Sequence, residues 1–161
     1  TFVTGLHALM ELTMNRIAAF VFTCLLMLPI STHAQVQMPR MDLSAGLHRI
    51  NAEVAADQSS RMQGLMHRRE MPANQGMLFV FTHAERHCMW MRNTYLPLSV
   101  AFLDENGRIL NIENMQPHSE TNHCAAGPAR FALEMNSGWF SSKGIKAGQR
   151  ISGIEKAPPP Q

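Results

Sequence analysis

Charge is scarce in this chain. Asp, Glu, Lys and Arg make up 16% of 161 residues, and 14 basic against 12 acidic side chains leave a formal charge of +2. That field is too weak to imply nucleic acid or another polyanion as partner. Cysteine is limited to three, which excludes a disulfide-dense miniprotein. No uncharged apolar run reaches the ~20 residues of a membrane-spanning helix, which excludes a multi-span membrane protein. A hydrophobic content of 45% excludes a disordered tail protein. The chain also lacks HExxH, GxSxG, a Gly-rich phosphate loop and a CxxC pair. These absences weaken an enzyme reading without excluding one, and the balance leans toward a binding domain. No catalytic residue is assigned and no cofactor is expected.

What is present begins with IAAFVFTCLLMLPI at residues 17–30. Met14-Asn15-Arg16 precedes it and Ser31-Thr32-His33-Ala34 follows. A short basic start, an apolar middle, Pro29 and a small-x-small ending are the parts of a secretory signal. The expected start is Met14, with 1–13 an upstream extension and cleavage after Ala34. The mature protein would be periplasmic or secreted, with no stable membrane span once the signal is gone. Cys24 leaves with the signal, so Cys88 and Cys124 remain as an even pair.

Residues 35–46 are polar, with Pro39 and Gly46, and read as a flexible leader. Residues 156–161 form a Pro-rich tail expected to fray. Between them, 47–155 reads as one compact domain. Ile50, Ala52 and Val54 alternate with polar residues at strand period. Asp57 can cap a short helix with Met62, Leu65 and Met66 on one face. MLFVF at 77–81 reads as a strand buried on both faces, and CMWMR at 88–92 as another. LSVAFLD (98–104) and RILNIEN (108–114) flank a Gly-ended turn, the best hairpin signal in the chain. FALEM at 131–135 is a further strand. Asn136 or Ser137 can cap a short helix carrying Trp139 and Phe140, and QRISGIE at 149–155 reads as the last strand. The sum is a mainly β, sandwich- or barrel-like domain with two short helices.

Two dipeptides could carry chemistry, His87-Cys88 and His123-Cys124. In an oxidising compartment a Cys88–Cys124 disulfide is the favoured reading, worth roughly 4 kcal/mol by loop entropy. Free buried thiols are one alternative, and a zinc or copper site from these four residues is another. His83 and His87 read as solvated loop residues. Ten of the 13 methionines lie beyond residue 34, mostly at apolar positions, and suit flexible core filler. Trp90, Arg92, Asn93 and Thr94 form a polar and aromatic cluster at a strand end. Arg61, Arg68 and Arg69 flank the first helix. Glu134 interrupts an apolar strand, where a carboxylate is either solvated or paired. Meeting Arg92 or Arg68, it would make a small polar pocket or a salt bridge.

The strings GLMHRREMPANQGMLFVF (64–81), MWMRNTYLPLSVAFLDENGRIL (89–110), PARFALEMNSGWF (128–140) and GIKAGQRI (144–151) resemble the domain of unknown function 192 family. The resemblance covers nearly all of 47–155. It implies a compact, mainly β domain, often behind a bacterial signal peptide, and no particular reaction. Among the motif positions, Gly64, Gly76, Pro97 and Gly138 suit folding roles. Arg61, Arg68, Trp90, Arg92, Asn93, Thr94 and Glu134 are the ligand-binding candidates. The cysteines lie outside the family pattern. The leading expectation is a domain that binds a small polar or anionic molecule, or a protein, through Arg68, Arg92 and Asn93. The alternative is a hydrolase with Glu134 or a histidine as base, or a copper- or zinc-handling protein.

Overall fold

The computed structural model describes residues 38–161. The expected signal and its cleavage site lie outside the described residues. Nine strands are present among them: β1 (Arg40–Ala45), β2 (His48–Ala55), β3 (Gln75–Glu85), β4 (Cys88–Met89), β5 (Leu98–Leu103), β6 (Ile109–Met115), β7 (His123–Cys124), β8 (Ala129–Asn136) and β9 (Ile151–Ser152). Two short helices, α1 (Gln58–Gln63) and α2 (Trp139–Ser142), and a 3-10 turn at Ile154–Lys156 complete the described residues. No helix of the described residues is long and apolar enough to cross a membrane.

Seven strands form one sheet in the order β6-β5-β8-β3-β2-β1-β9, and β4 pairs only with β7. Every pairing is antiparallel except β2 with β3. A parallel pair needs a crossover, and α1 supplies it. The sheet curls into a half-barrel. At one end its edges meet: Ile109 N–H donates to Gln149 O at 2.8 Å, and Ile151 N–H to Gly107 O at 2.9 Å.

Alternation along the strands separates two cores. Leu78 and Val80 of β3 and Phe131, Leu133 and Met135 of β8 point into the curl, where they join Trp139, Phe140, Ile151 and Ile154. Met77, Phe79 and Phe81 of β3 and Ala132 of β8 point outward beneath Leu65, Met91 and Ala125. MLFVF is therefore buried on both faces, as its composition implies.

Five local expectations need correction. The leader is ordered from Arg40: MDLSA is flanked by a turn at Gly46 and pairs along its full length with β2. The tail is pinned, with Gln161 N–H donating to Ala56 O at 2.8 Å. CMWMR stops being a strand at Met89, because Thr94 N–H turns back to Met91 O at 3.0 Å and Asn93 is left-handed (φ 56°). QRISGIE holds only a two-residue strand before the 3-10 turn. Gly138, rather than Asn136 or Ser137, begins α2, and its N–H donates to Ser99 Oγ at 2.9 Å.

Candidate functional site

The outer face of the sheet carries a cavity of about 650 Å³. Its floor is Phe79, Phe81 and Glu134; one wall is α1 with Gly64–Met66, and the other is the segment from His87 to Thr94. The α1 wall starts as the sequence implies. Asp57 accepts from Ser60 N–H at 2.9 Å, and Asp57 N–H donates to Ser60 Oγ at 3.2 Å, a complete capping box. The capping bonds hold the Asp57 carboxyl below its ordinary range. The predicted apolar face of the helix divides, however. Leu65 is buried, while Met62 is 70% exposed at the rim.

Glu134 sets the chemistry of the floor. It lies between Met77 of β3 and Val100 of β5, so its side chain shares their apolar face. Only 3% of the residue is exposed. Burial, with no compensating partner, pushes its carboxyl from 4.5 up to about 8. At neutral pH it is therefore mostly the neutral acid, able to donate one hydrogen bond. This is a perturbed group in a cleft, a known mark of functional sites.

The other wall hangs on a disulfide between Cys88 and Cys124, which face each other across β4 and β7. Met91 N–H donates to Ser119 O at 2.9 Å and Ala125 N–H to His87 O at 2.9 Å, so the two segments lie against each other. The Arg92 guanidinium carbon stands 5.8 Å from the centre of the half-exposed Trp90 ring. Thr94 is buried, with its hydroxyl donating to Arg92 O at 3.3 Å. The His87 ring stacks on Phe81 at 3.7 Å and donates to His83 O at 3.0 Å.

The structure thus gathers Arg61, Trp90, Arg92, Asn93, Thr94 and Glu134 around one cavity. Arg61 is committed to the backbone there, bonding Ala56 O, Val80 O and Gln161 O. Arg68 lies elsewhere. Its guanidinium grips Glu53 of β2, which Arg40 of β1 also contacts at 2.6 Å. The Arg68 bond outweighs burial and holds the Glu53 carboxyl below its ordinary range, with Arg40 adding to the effect. The expected meeting of Glu134 with Arg68 is therefore replaced by Arg68 with Glu53. The four-residue metal alternative loses both thiolates to the disulfide, and no group of three metal-binding side chains forms among the described residues. His83 belongs to β3 rather than to a loop. Sequence reasoning missed Glu53, because an acid at a polar strand position looks solvated. It also missed the cavity role of Met62, Phe79 and Phe81, which read as ordinary apolar residues.

Fold and site together define a curled, mainly β domain with a carboxyl-floored cavity on the outer face of its sheet. The chain belongs to the DUF192 family, "Uncharacterized ACR", whose model matches residues 41–153. It is similar to a solved structure from Sinorhizobium meliloti 1021 described as a "putative transcription regulator", with 38% identity and a TM-score of 0.69. The likeness covers 74% of this chain and 97% of that one. A protein of unknown function from Novosphingobium aromaticivorans DSM 12444 is 31% identical with a TM-score of 0.70, over 76% of this chain and 91% of that one. No curated protein matches the chain.

Proposed function

We propose that the protein is an exported small-molecule-binding domain whose ligand sits in the cavity against Glu134. The observation that carries this reading is the Glu134 carboxyl itself, buried, unpaired and lining an open cavity. An unmatched buried polar group costs roughly 1–3 kcal/mol, which stability alone would not retain. A ligand group bonded to it offsets that cost. The lining suggests the ligand's shape: an apolar body against Phe79, Leu65 and Met62, and an acceptor for the neutral acid. A polar or anionic end would meet Arg92 and Asn93 at the mouth. The volume falls within the ~300–1,000 Å³ of small-molecule sites.

An acid–base enzyme is the weaker reading, because desolvation is the sole influence on Glu134 and no imidazole or hydroxyl orients it. The regulator description of the Sinorhizobium relative meets no recognition helix among the described residues. A helix that reads DNA fills the major groove, whereas the α-helices among the described residues are six and four residues long. Export is supported by the apolar run at 17–30 and by the disulfide, which suits an oxidising compartment.

The test is an amide NMR titration of residues 35–161 with benzoate, cyclohexanecarboxylate and benzamide. At least one should shift Gly64, Leu65, Phe79 and the Trp90 indole, with binding lost in Glu134→Leu and weakened in Arg92→Ala. If none binds, or both variants bind as tightly as the unaltered protein, the ligand site is not this cavity. N-terminal sequencing of the native protein should begin at Gln35 in the periplasmic fraction. An uncleaved cytoplasmic product would overturn export.

A further inference from the structure

Beyond the cavity mouth lies a second cluster that the proposed ligand does not use. Tyr95, 41% exposed, is surrounded by three other side chains that can donate hydrogen bonds. The Arg69 guanidinium carbon lies 5.2 Å from its ring centre, the His118 ring 5.1 Å and the His67 ring 6.2 Å. All four residues are exposed.

Two further observations set this shelf apart. The non-glycine residues with left-handed backbone among the described residues are His67 (φ 63°), Asn93 (φ 56°) and His118 (φ 61°). All three converge here: His67 N–H donates to Asn93 O at 2.9 Å, and His118 N–H to Thr94 O at 3.1 Å. Each residue stays in a sparsely populated conformation only because its surroundings hold it, and such residues gather at functional sites. The second observation is electrostatic. Both ion pairs among the described residues centre on Glu53, so neither Arg69 nor either histidine has a carboxylate partner. A guanidinium, two imidazoles and a phenol crowd together with no internal counterion.

We propose that this shelf binds the phosphoryl group of a small ligand. A guanidinium fork matches phosphate oxygens, and charge-assisted bonds to them are about twice as strong as neutral ones. Imidazole N–H groups and the phenol supply further donors around the same ring. His67 and His118 bring their imidazoles from separate loops to the same tyrosine ring. The proposal does not depend on the cavity, which lies across the 91–94 turn.

Inorganic phosphate is the probe, titrated by NMR at fixed pH and constant ionic strength, with acetate as the second arm. Phosphate should shift residues 67, 69, 95 and 118 saturably. Arg69→Ala should weaken the effect at least tenfold, and His67→Gln/His118→Gln should weaken it comparably. Lys143→Ala removes a cation at the C-terminal cap of α2 and should bind as the unaltered protein does. Three results would overturn the site: no saturable shift, an equal response in Arg69→Ala, or acetate binding as tightly as phosphate. Unchanged spectra elsewhere in Arg69→Ala show that the fold is intact.

Discussion

Glu53 and Glu134 sit on the same face of the sheet, one on either side of Met77. Their fates are opposite. Two guanidiniums hold Glu53 ionised, while Glu134 has none and is driven toward its neutral form. The linkage for Glu134 has a definite sign. Its folded value of about 8 lies above the unfolded 4.5, so the folded state holds the proton more tightly. Its burial adds no pH-dependent cost below pH 4.5; above that, stability falls by about 1.4 kcal/mol per pH unit until the loss levels off near pH 8. Chemical denaturation of Glu134→Gln should show that slope abolished between these limits; an identical slope would assign it to another group. Glu134→Leu should be more stable than the unaltered protein at pH 7, by roughly 1–3 kcal/mol. A loss of stability instead would mean that the carboxyl has a structural partner.

At the scale of elements, the cavity exists because two short segments stand off the sheet. The α1 wall is local, since Asp57 and Ser60 define it within four residues. The opposite wall is not. Cys88 and Cys124 are separated by 36 positions, and closing that loop is worth about 4 kcal/mol by chain entropy. The double variant Cys88→Ser/Cys124→Ser should lose stability on that order in thermal or denaturant unfolding. Hydrogen exchange should quicken in 87–94 and 116–126 while β3 and β8 stay protected. Unchanged stability would show that the disulfide is no staple. Legibility divided along the same line. The capping box and the 98–114 hairpin depend on neighbours in sequence and could be read there. The Arg68–Glu53 pair joins a loop to β2, and the 91–94 turn is held by Ser119, so neither left a local pattern.

At the largest scale, the domain of residues 38–161 is closed at one end by a seam. Gly107 (φ +76°) and Gly153 (φ +95°) lie where β6, β9 and β1 meet. A Cβ on Gly107 would stand 2.6 Å from Ile151 O, and one on Gly153 2.8 Å from Asp42 O. Both glycines are needed for their backbone angle and for the close approach. Gly107→Val should therefore open the seam, lowering the thermal midpoint and speeding amide exchange at Ile109 and Ile151. If both amides stay as protected as before, the edges are held together by other contacts. The order of residues alone carries the alternation: which residues of β2, β3, β5 and β8 face a core, where the hairpin turns, and which residues are unusual enough to suspect. Period and turn chemistry are local, so one strand carries them in its own order of residues. Packing in three dimensions is what curls the sheet, sends Arg68 to Glu53 and leaves Glu134 alone at the floor of a cavity. Those outcomes depend on which strands become neighbours, and a glutamate reads the same in the sequence whether its spatial neighbour is a guanidinium or a methionine.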